Sequence, residues 1–369
     1  MRNRLLLVAT IGAAAIGALV VALTWGGRGT TAAGLGAHEG MVRGTVWVAD
    51  EGGDSLTAID ASRNEVVATL DGIAGPHNIQ AAPDGQTIWA VSGHSSLAAM
   101  VDATTLKLHG TVPTGMSPAH IVVTPDGRRA YVTNGGDDTV SAIDVATMKT
   151  VATIPVGDYP HGLRPSPDGK TLLVANAHGT TVSVIDTTTN RRLADIEVGK
   201  SPVQVAFAPD GRVAYVSLNA ENAVAKIDLA ARRVVAKQRV GKGPIQVYVT
   251  PDGRQLLVAN QGTEEQPSET LSILNLNPFR LAGTVVTGKG AHGVVVDSTS
   301  RHAYVTDTYA DDVAVVDLAS RKLVVTIPVG HEPNGVSFST ASLPRGKRTI
   351  ELPMPAHADD MGGMEGMDH

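Results

Sequence analysis

Methionine and histidine side chains are concentrated at the C-terminal end of the 369-residue chain. The last 13 residues contain His357, Met361, Met364, Met367 and His369, separated by glycines and acidic residues. Thioether sulfur suits Cu(I), and imidazole binds copper in either oxidation state. Because methionine normally fills hydrophobic cores, this polar segment predicts a copper-binding tail. The alternative is a disordered segment of chance composition.

A second group of histidines occurs at a regular spacing in the sequence. His77 and His161 lie 84 residues apart, each directly after a proline, and His292 occupies the same register. His120 lies one residue further along its own repeat. If the repeats form a ring, these imidazoles converge, and imidazole is a ligand for copper and zinc. The alternative is structural, with each histidine bonded to the backbone of a neighbouring repeat.

Three lysines share another register and are candidates for binding an anionic ligand: Lys200, Lys242 and Lys289. The alternative is that these lysines lie on solvent-exposed turns, where lysine is common without binding a ligand. The chain has no Gly-x-Ser-x-Gly elbow and no His-Glu-x-x-His pair. The sequence therefore identifies no catalytic residue, and it leaves the cofactor-binding residues unknown.

These side chains belong to a repeat of 42 residues. Pro-Asp-Gly turns start at positions spaced by that length: Pro83, Pro125, Pro167, Pro209 and Pro251. A strand anchor follows at Trp47, Trp89, Tyr131, Leu173, Tyr215, Leu257 and Tyr304, with a last step of 47 residues. These registers indicate seven units, and five additional residues in the sixth unit, within 261–269.

The sequence of each unit predicts four short antiparallel strands, because tight turns join its consecutive apolar segments. One unit illustrates this, with strands over 161–166, 171–176, 181–186 and 191–198. Four such strands in about 42 residues are typical of a propeller blade. The first unit lacks its first strand, and a lone strand over 334–340 would complete it. The predicted fold is an all-β, seven-bladed β-propeller of four-stranded antiparallel blades, closed by that C-terminal strand.

The segment Tyr131-Val132-Thr133-Asn134, following a Pro-Asp-Gly turn, resembles the motif of the YVTN-repeat (YncE-like) seven-bladed β-propeller family. Variants of the tetrapeptide start at Leu173, Tyr215, Leu257 and Tyr304, so the resemblance covers about residues 41–340. It implies an extracytoplasmic propeller and no single activity. The C-terminal tail is similar to Met- and His-rich segments of bacterial periplasmic copper-handling proteins.

The N-terminal segment predicts export. Arg2 and Arg4 precede an uncharged apolar run over 5–25, which is typical of a signal peptide or a membrane anchor. We therefore divide the chain into a signal or anchor with linker (1–37), the propeller (38–340) and a flexible tail (341–369). The predicted location is periplasmic, extracellular or tethered outside the cytoplasmic membrane, with the membrane contacted only through this segment.

The composition narrows the classes of function. The chain has no cysteine, which excludes covalently attached c-type haem, and its formal net charge of −6 does not favour nucleic acid as a partner. Three hypotheses follow. The first is an extracytoplasmic binding protein that handles copper through the Met- and His-rich tail, with the channel-face histidines as a further candidate site, and that holds a ligand at the channel mouth. The second is a surface scaffold for a protein partner, and the third is a propeller enzyme, either a lactonase-like hydrolase or a cofactor-dependent oxidoreductase.

Overall fold

A computed structural model describes residues 42–355 of the chain. The predicted signal or anchor segment, and the tail residues His357, Met361, Met364, Met367 and His369, lie outside the described residues. Within the described range, none of the helices is long and apolar enough to cross a membrane. The only helical elements there are three short 3-10 turns, Glu51–Gly53, Gly135–Asp137 and Asn219–Glu221.

The strands follow the repeat. The first three are β1 (Thr45–Asp50), β2 (Ser55–Asp60) and β3 (Glu65–Asp71). The second and third blades contain β4 (Pro76–Ala81), β5 (Thr87–Ser92), β6 (Leu97–Asp102), β7 (Leu108–Pro113), β8 (Pro118–Val123), β9 (Arg129–Asn134), β10 (Thr139–Asp144) and β11 (Lys149–Pro155). The fourth and fifth contain β12 (Pro160–Pro165), β13 (Thr171–Asn176), β14 (Thr181–Asp186), β15 (Arg191–Glu197), β16 (Pro202–Phe207), β17 (Val213–Leu218), β18 (Ala223–Asp228) and β19 (Arg233–Arg239).

The last blades complete the ring. The sixth contains β20 (Pro244–Val249), β21 (Gln255–Gly262), β22 (Pro267–Leu276) and β23 (Phe279–Val286). The seventh contains β24 (Ala291–Val296), β25 (His302–Asp307), β26 (Asp312–Asp317) and β27 (Lys322–Pro328), and two strands follow it, β28 (Pro333–Ser339) and β29 (Arg348–Glu351). The five additional residues of the sixth unit lengthen the hairpin between β21 and β22.

Every blade is an antiparallel meander of four strands in chain order, except the first, whose sheet order is β28-β1-β2-β3-β29. The predicted seven-bladed propeller is therefore confirmed, and β28 supplies the strand missing from the first unit. This closure pairs Thr45 with Ser339 and Trp47 with Ser337, which leaves the innermost edge of the first blade covered.

The region after β28 differs from the prediction. We expected no strand beyond residue 340, but β29 pairs in parallel with β3, from Arg348 against Ala68 to Glu351 against Asp71. Leu343 and Leu352 on either side of β29 are buried in the core between the first two blades. Burial of these two side chains holds β29 against the first blade. The sequence did not predict β29, because a strand of four residues is too short to show a recognisable period-2 pattern.

The core consists of layers between adjacent blades. Strand anchors such as Trp47, Trp89 and Tyr131 are fully buried, and each hydrophobic cluster joins neighbouring blades rather than one central mass. The innermost strands β4, β8, β12, β16, β20, β24 and β28 therefore line a central channel, where polar side chains can lie without disturbing the core.

Candidate metal centre in the channel

The same turn geometry recurs in every blade and positions the channel histidines. In every blade the residue before the innermost strand has a positive φ, as at Gly75 (54°) and Tyr159 (51°). The turn is held by a side chain of the preceding blade, since Asp54 accepts the N–H of Gly75 at 2.7 Å and Asp138 accepts that of Tyr159 at 2.8 Å. The residue after the turn begins the innermost strand. In the second blade this residue is Pro76, and His77 follows it.

A bulge in each innermost strand changes which side chains face the channel. In β12 the pairing with β13 shifts between Pro160 and Leu163. His161 contacts His77, and Arg164 contacts Gln80, both across 84 residues, which is two blades away. Side chains that meet across nonadjacent blades must project into the channel. The bulge therefore allows positions three apart on one strand to face the same way, which strict alternation forbids.

Three histidines meet at one end of the channel. One ring nitrogen from each of His77, His120 and His161 lies within 4.8 Å of the others. Nε2 of His77 is 3.2 Å from Nε2 of His161. The ring centroid of His120 is 4.6 Å from that of His161 and 5.6 Å from that of His77. His292 approaches from the seventh blade, with its centroid 5.6 Å from that of His77.

The outward-facing nitrogens of three of these rings have hydrogen-bond partners. Nδ1 of His77 bonds the carboxylate of Glu51 at 2.9 Å. Nδ1 of His161 lies 3.3 Å from the carbonyl of Val203, and Nδ1 of His292 lies 3.3 Å from the carbonyl of Asn334. An Nδ1–H donated to a carboxylate or carbonyl leaves Nε2 with a free lone pair, which is the usual arrangement of a metal-bound histidine.

His120 provides the most direct sign of an absent partner. Its side chain is buried, with 3% exposed, and Nδ1 faces the side-chain amide of Gln204 at 3.4 Å. Nε2 of His120 has no hydrogen-bond partner among the described residues. Oε1 of Gln204 accepts the N–H of Val205 at 2.8 Å, so Nε2 of Gln204 donates to Nδ1 of His120 and the proton of the neutral ring lies on Nε2. Buried polar atoms are nearly always satisfied, so Nε2 of His120 requires an acceptor, or an ion if its proton moves to Nδ1.

Burial keeps His120, His161 and His292 neutral at physiological pH. Burial lowers the pKa of His161 to about 3 and that of His292 to about 4, and the neighbouring His77 adds to both effects. Burial and the nearby His161 hold the pKa of His120 well below its ordinary value. A neutral imidazole offers its lone pair to a metal without first losing a proton.

In the described part of the chain, Glu51 is the carboxylate that contacts this cluster. Burial alone would raise its pKa, but the hydrogen bond and electrostatic attraction from His77 outweigh burial and lower it to about 2. Asn334 also donates its side-chain amide to the same oxygen. Glu51 thus carries a negative charge beside the histidines, which favours a cation there.

The three lysines do not share an arrangement of this kind. Lys200, Lys242 and Lys289 are exposed. The backbone N–H of Lys200 donates to Glu221, and Nζ of Lys242 donates to Gln266 in the lengthened hairpin. Such contacts are typical of solvated turns.

Three further histidines are exposed, and none of them belongs to the three-histidine group. His94 lies under the turn at Gly75, His178 stacks on Tyr159, and His331 bonds Asp311.

Sequence reasoning missed Glu51, Gln204 and Asn334 as partners of the histidines. Asn334 occupies the register of His77 and His161, so an alignment of the repeats would have placed it at the cluster. Glu51 follows the last residue of β1 and enters the channel through a 3-10 turn. No pattern in the sequence distinguishes it from other turn residues.

Comparisons with known proteins agree with the architecture. The model of the YNCE-like β-propeller family matches residues 16–301. No curated protein matches the sequence. Among solved structures, the hydrazine synthase of Kuenenia stuttgartiensis superposes with a TM-score of 0.65 at 26% identity, covering 72% of this chain and 90% of that chain.

Two further structures share the fold at lower identity. A putative 6-phosphogluconolactonase from Bacteroides fragilis has a TM-score of 0.69 at 16% identity and covers 80% of this chain and 98% of its own. The dihydro-heme d1 dehydrogenase NirN has a TM-score of 0.61 at 18% identity and covers 79% of this chain and 74% of its own. Proteins of such different activities show that the fold alone does not identify the chemistry.

Proposed function

We propose that this chain, which belongs to the YNCE-like β-propeller family, is an exported binding protein that holds a copper ion in its channel. The ligands are His77, His120 and His161, with His292 beside them. One observation carries the proposal. Three imidazole nitrogens lie within 4.8 Å of one another, and the buried Nε2 of His120 has no partner among residues 42–355.

The spacing of the nitrogens fits a single ion. Metal–imidazole bonds of about 2.0–2.1 Å at tetrahedral angles separate two ligand nitrogens by about 3.3 Å. Nε2 of His77 and Nε2 of His161 are 3.2 Å apart. Nδ1 of His77 bonds Glu51 and Nδ1 of His161 bonds the carbonyl of Val203, which leaves Nε2 of both rings free for copper or zinc. His120 binds through Nε2 once the proton of that nitrogen moves to Nδ1. The negative charge of Glu51 lies behind His77.

The choice of copper rests on the C-terminal tail. Met361, Met364 and Met367 are soft thioether donors that favour Cu(I), and His357 and His369 accept either oxidation state. In this proposal the tail captures copper outside the membrane and transfers it to the channel, whose histidines retain it. The activity is therefore binding and transfer rather than catalysis.

The test is a competitive Cu(I) titration of the full-length protein against a chromophoric chelator. We expect His120→Ala to weaken the channel site by about 100-fold or more, since loss of even an outer partner of a ligand typically costs 10- to 100-fold. His178→Ala is the matched control, because it also removes one histidine but lies exposed and outside the cluster.

A second variant separates the tail from the channel. The chain should end after Pro355 rather than after residue 340, because the longer variant retains β29 and the buried Leu352. We expect this variant to lose the tail copper and to keep the channel copper. Equal Cu(I) binding by wild type, His120→Ala and the truncated chain would refute the proposal. Tighter binding of Zn²⁺ than of Cu(I) at the channel would refute its choice of metal.

A further inference from the structure

A second cavity lies further along the channel, away from the histidines. Its volume is about 300 Å³, and its lining includes Gln80, Arg164, Tyr248 and Ser337. Arg164 follows His161 by three residues on β12, which at about 3.3 Å per residue separates the two groups by about 10 Å. The cavity is therefore a different part of the channel from the proposed copper site.

Among residues 42–355, Arg164 is the only charged residue that lines this cavity. Its Nη1 donates to Oε1 of Gln80 at 3.0 Å. A guanidinium has five N–H donors, and no carboxylate among residues 42–355 forms an ion pair with this one. Burial lowers the pKa of Arg164, but arginine remains protonated. Arg164 is partly exposed to the channel, and shielding a cation from water is costly unless an anion pairs with it, so this position favours an anionic ligand.

Two neutral donors share the cavity with Arg164. Within the described range, the hydroxyl of Tyr248 forms no hydrogen bond. Oγ of Ser337 accepts the N–H of Ala81 at 2.9 Å, which leaves its own hydrogen for another acceptor. Both polar groups of the Gln80 side chain already form hydrogen bonds, because its Oε1 accepts from Arg164 and its Nε2 donates to the carbonyl of Ala81. The cavity thus offers several donors to an acceptor that the chain does not supply.

The remaining lining defines the kind of anion. Phe207, Val295 and Phe338 form apolar walls around the donors. A fully hydrated inorganic ion gains nothing from such walls, whereas an organic acid buries its carbon skeleton against them. A planar guanidinium matches a carboxylate with two parallel hydrogen bonds.

We infer that the Arg164 cavity is a binding site for the carboxylate group of a small organic acid. Arg164 pairs with the carboxylate, the hydroxyls of Tyr248 and Ser337 donate to it, and the phenyl rings contact the carbon skeleton. The propeller channel then binds two different ligands, a metal ion at one end and an organic anion at the other.

The test uses the full-length protein freed of metal with a chelator, so the result does not depend on copper. Benzoate, acetate and inorganic phosphate are compared at equal ionic strength, with sodium chloride as the reference, by calorimetry and by thermal unfolding. We expect benzoate to bind and to raise the melting temperature, acetate to bind more weakly, and phosphate to have no effect beyond that of chloride.

Two variants locate the site. We expect Arg164→Gln to weaken benzoate binding by about 10- to 100-fold, the range for a lost charge-assisted hydrogen bond, and to be at least as stable as wild type without ligand. Tyr248→Phe keeps the ring and should weaken binding severalfold. Equal benzoate binding by wild type and both variants would overturn the inference. Binding of phosphate but not benzoate would overturn the choice of a carboxylate.

Discussion

The residue that ends the second strand of each blade sets up our most detailed prediction. In the third blade this residue is Asn134, whose Oδ1 accepts the N–H of Gly115 at 3.0 Å. Its Nδ2 donates to the hydroxyls of Thr139 and Ser141 at 3.0 and 2.9 Å. The fourth blade repeats this arrangement around Asn176. An amide therefore satisfies one donor and two hydroxyls at once.

The first blade has Asp50 in this place. Its Oδ2 accepts hydrogen bonds from Thr57 at 2.7 Å and Ser55 at 3.2 Å, but the side chain is fully buried and Oδ1 has no partner among the described residues. Burial outweighs the hydrogen bonds and raises the pKa of Asp50 from 3.8 to about 7. The folded protein therefore holds a proton that the unfolded chain releases.

The consequence for stability has a definite sign. Because the folded-state pKa is the higher one, the stabilising protonated form is fully present below about pH 4 and is lost as the pH rises towards 7. The difference between the two pKa values, 3.8 and about 7, corresponds to about 4 kcal/mol at neutral pH. Asp50→Asn removes this cost and restores the amide seen at Asn134.

We expect Asp50→Asn to raise the free energy of unfolding by up to about 4 kcal/mol at pH 7, by about half as much at pH 5, and by nothing below about pH 4. Urea unfolding at these pH values measures it. The matched control is the reverse change, Asn134→Asp, which should destabilise the protein in the same pH range. A variant less stable than wild type at pH 7, or a difference independent of pH, would show that the reasoning is wrong.

Two further predictions concern the channel wall and β29. Gly162→Ala should destabilise the protein by about 1–3 kcal/mol, because the added Cβ would overlap Oε1 of Gln204 and the carbonyl of Val203; an unchanged urea midpoint would contradict this packing. Leu352→Ala should cost about 2–5 kcal/mol, since Leu352 is 3% exposed in the core beside the first blade. Thermal unfolding compares this variant with the exposed neighbouring change Glu351→Ala, which should alter the stability by no more than about 0.5 kcal/mol. Equal melting temperatures for the two variants would contradict the burial of Leu352.

Most of the fold follows from local rules in the sequence. The predicted strands of the fourth blade agree with β12, β13, β14 and β15 to within about one residue, because five of the seven units carry a Pro-Asp-Gly turn at a fixed spacing of 42 residues. The closing strand was predicted at 334–340 and lies at Pro333–Ser339. By contrast, the parallel pairing of β29 depends on burial of Leu343 and Leu352 far from their partners in sequence.

The candidate site was only partly predictable. The register of His77, His161 and His292 indicated convergence, and His120 was expected on the same face. Their close approach depends on the bulge in each innermost strand, which no residue type announces. Arg164 was overlooked, although its register in the other blades holds no other charged residue: Gln80, Val122, Ala206, Tyr248, Val295 and Ser337. A comparison of equivalent positions across the repeats would have singled it out.

The closing strand β28 has a consequence for biosynthesis. Asn334 lies on β28, yet its amide bonds Glu51, 283 residues earlier in the chain, and its carbonyl faces His292. A nascent chain that has formed six blades therefore lacks the contacts that Asn334 makes with Glu51, the carboxylate bonded to His77, and with His292. These contacts form only when the last strand joins the first blade. The environment of Glu51 and His292 thus reports that the ring has closed.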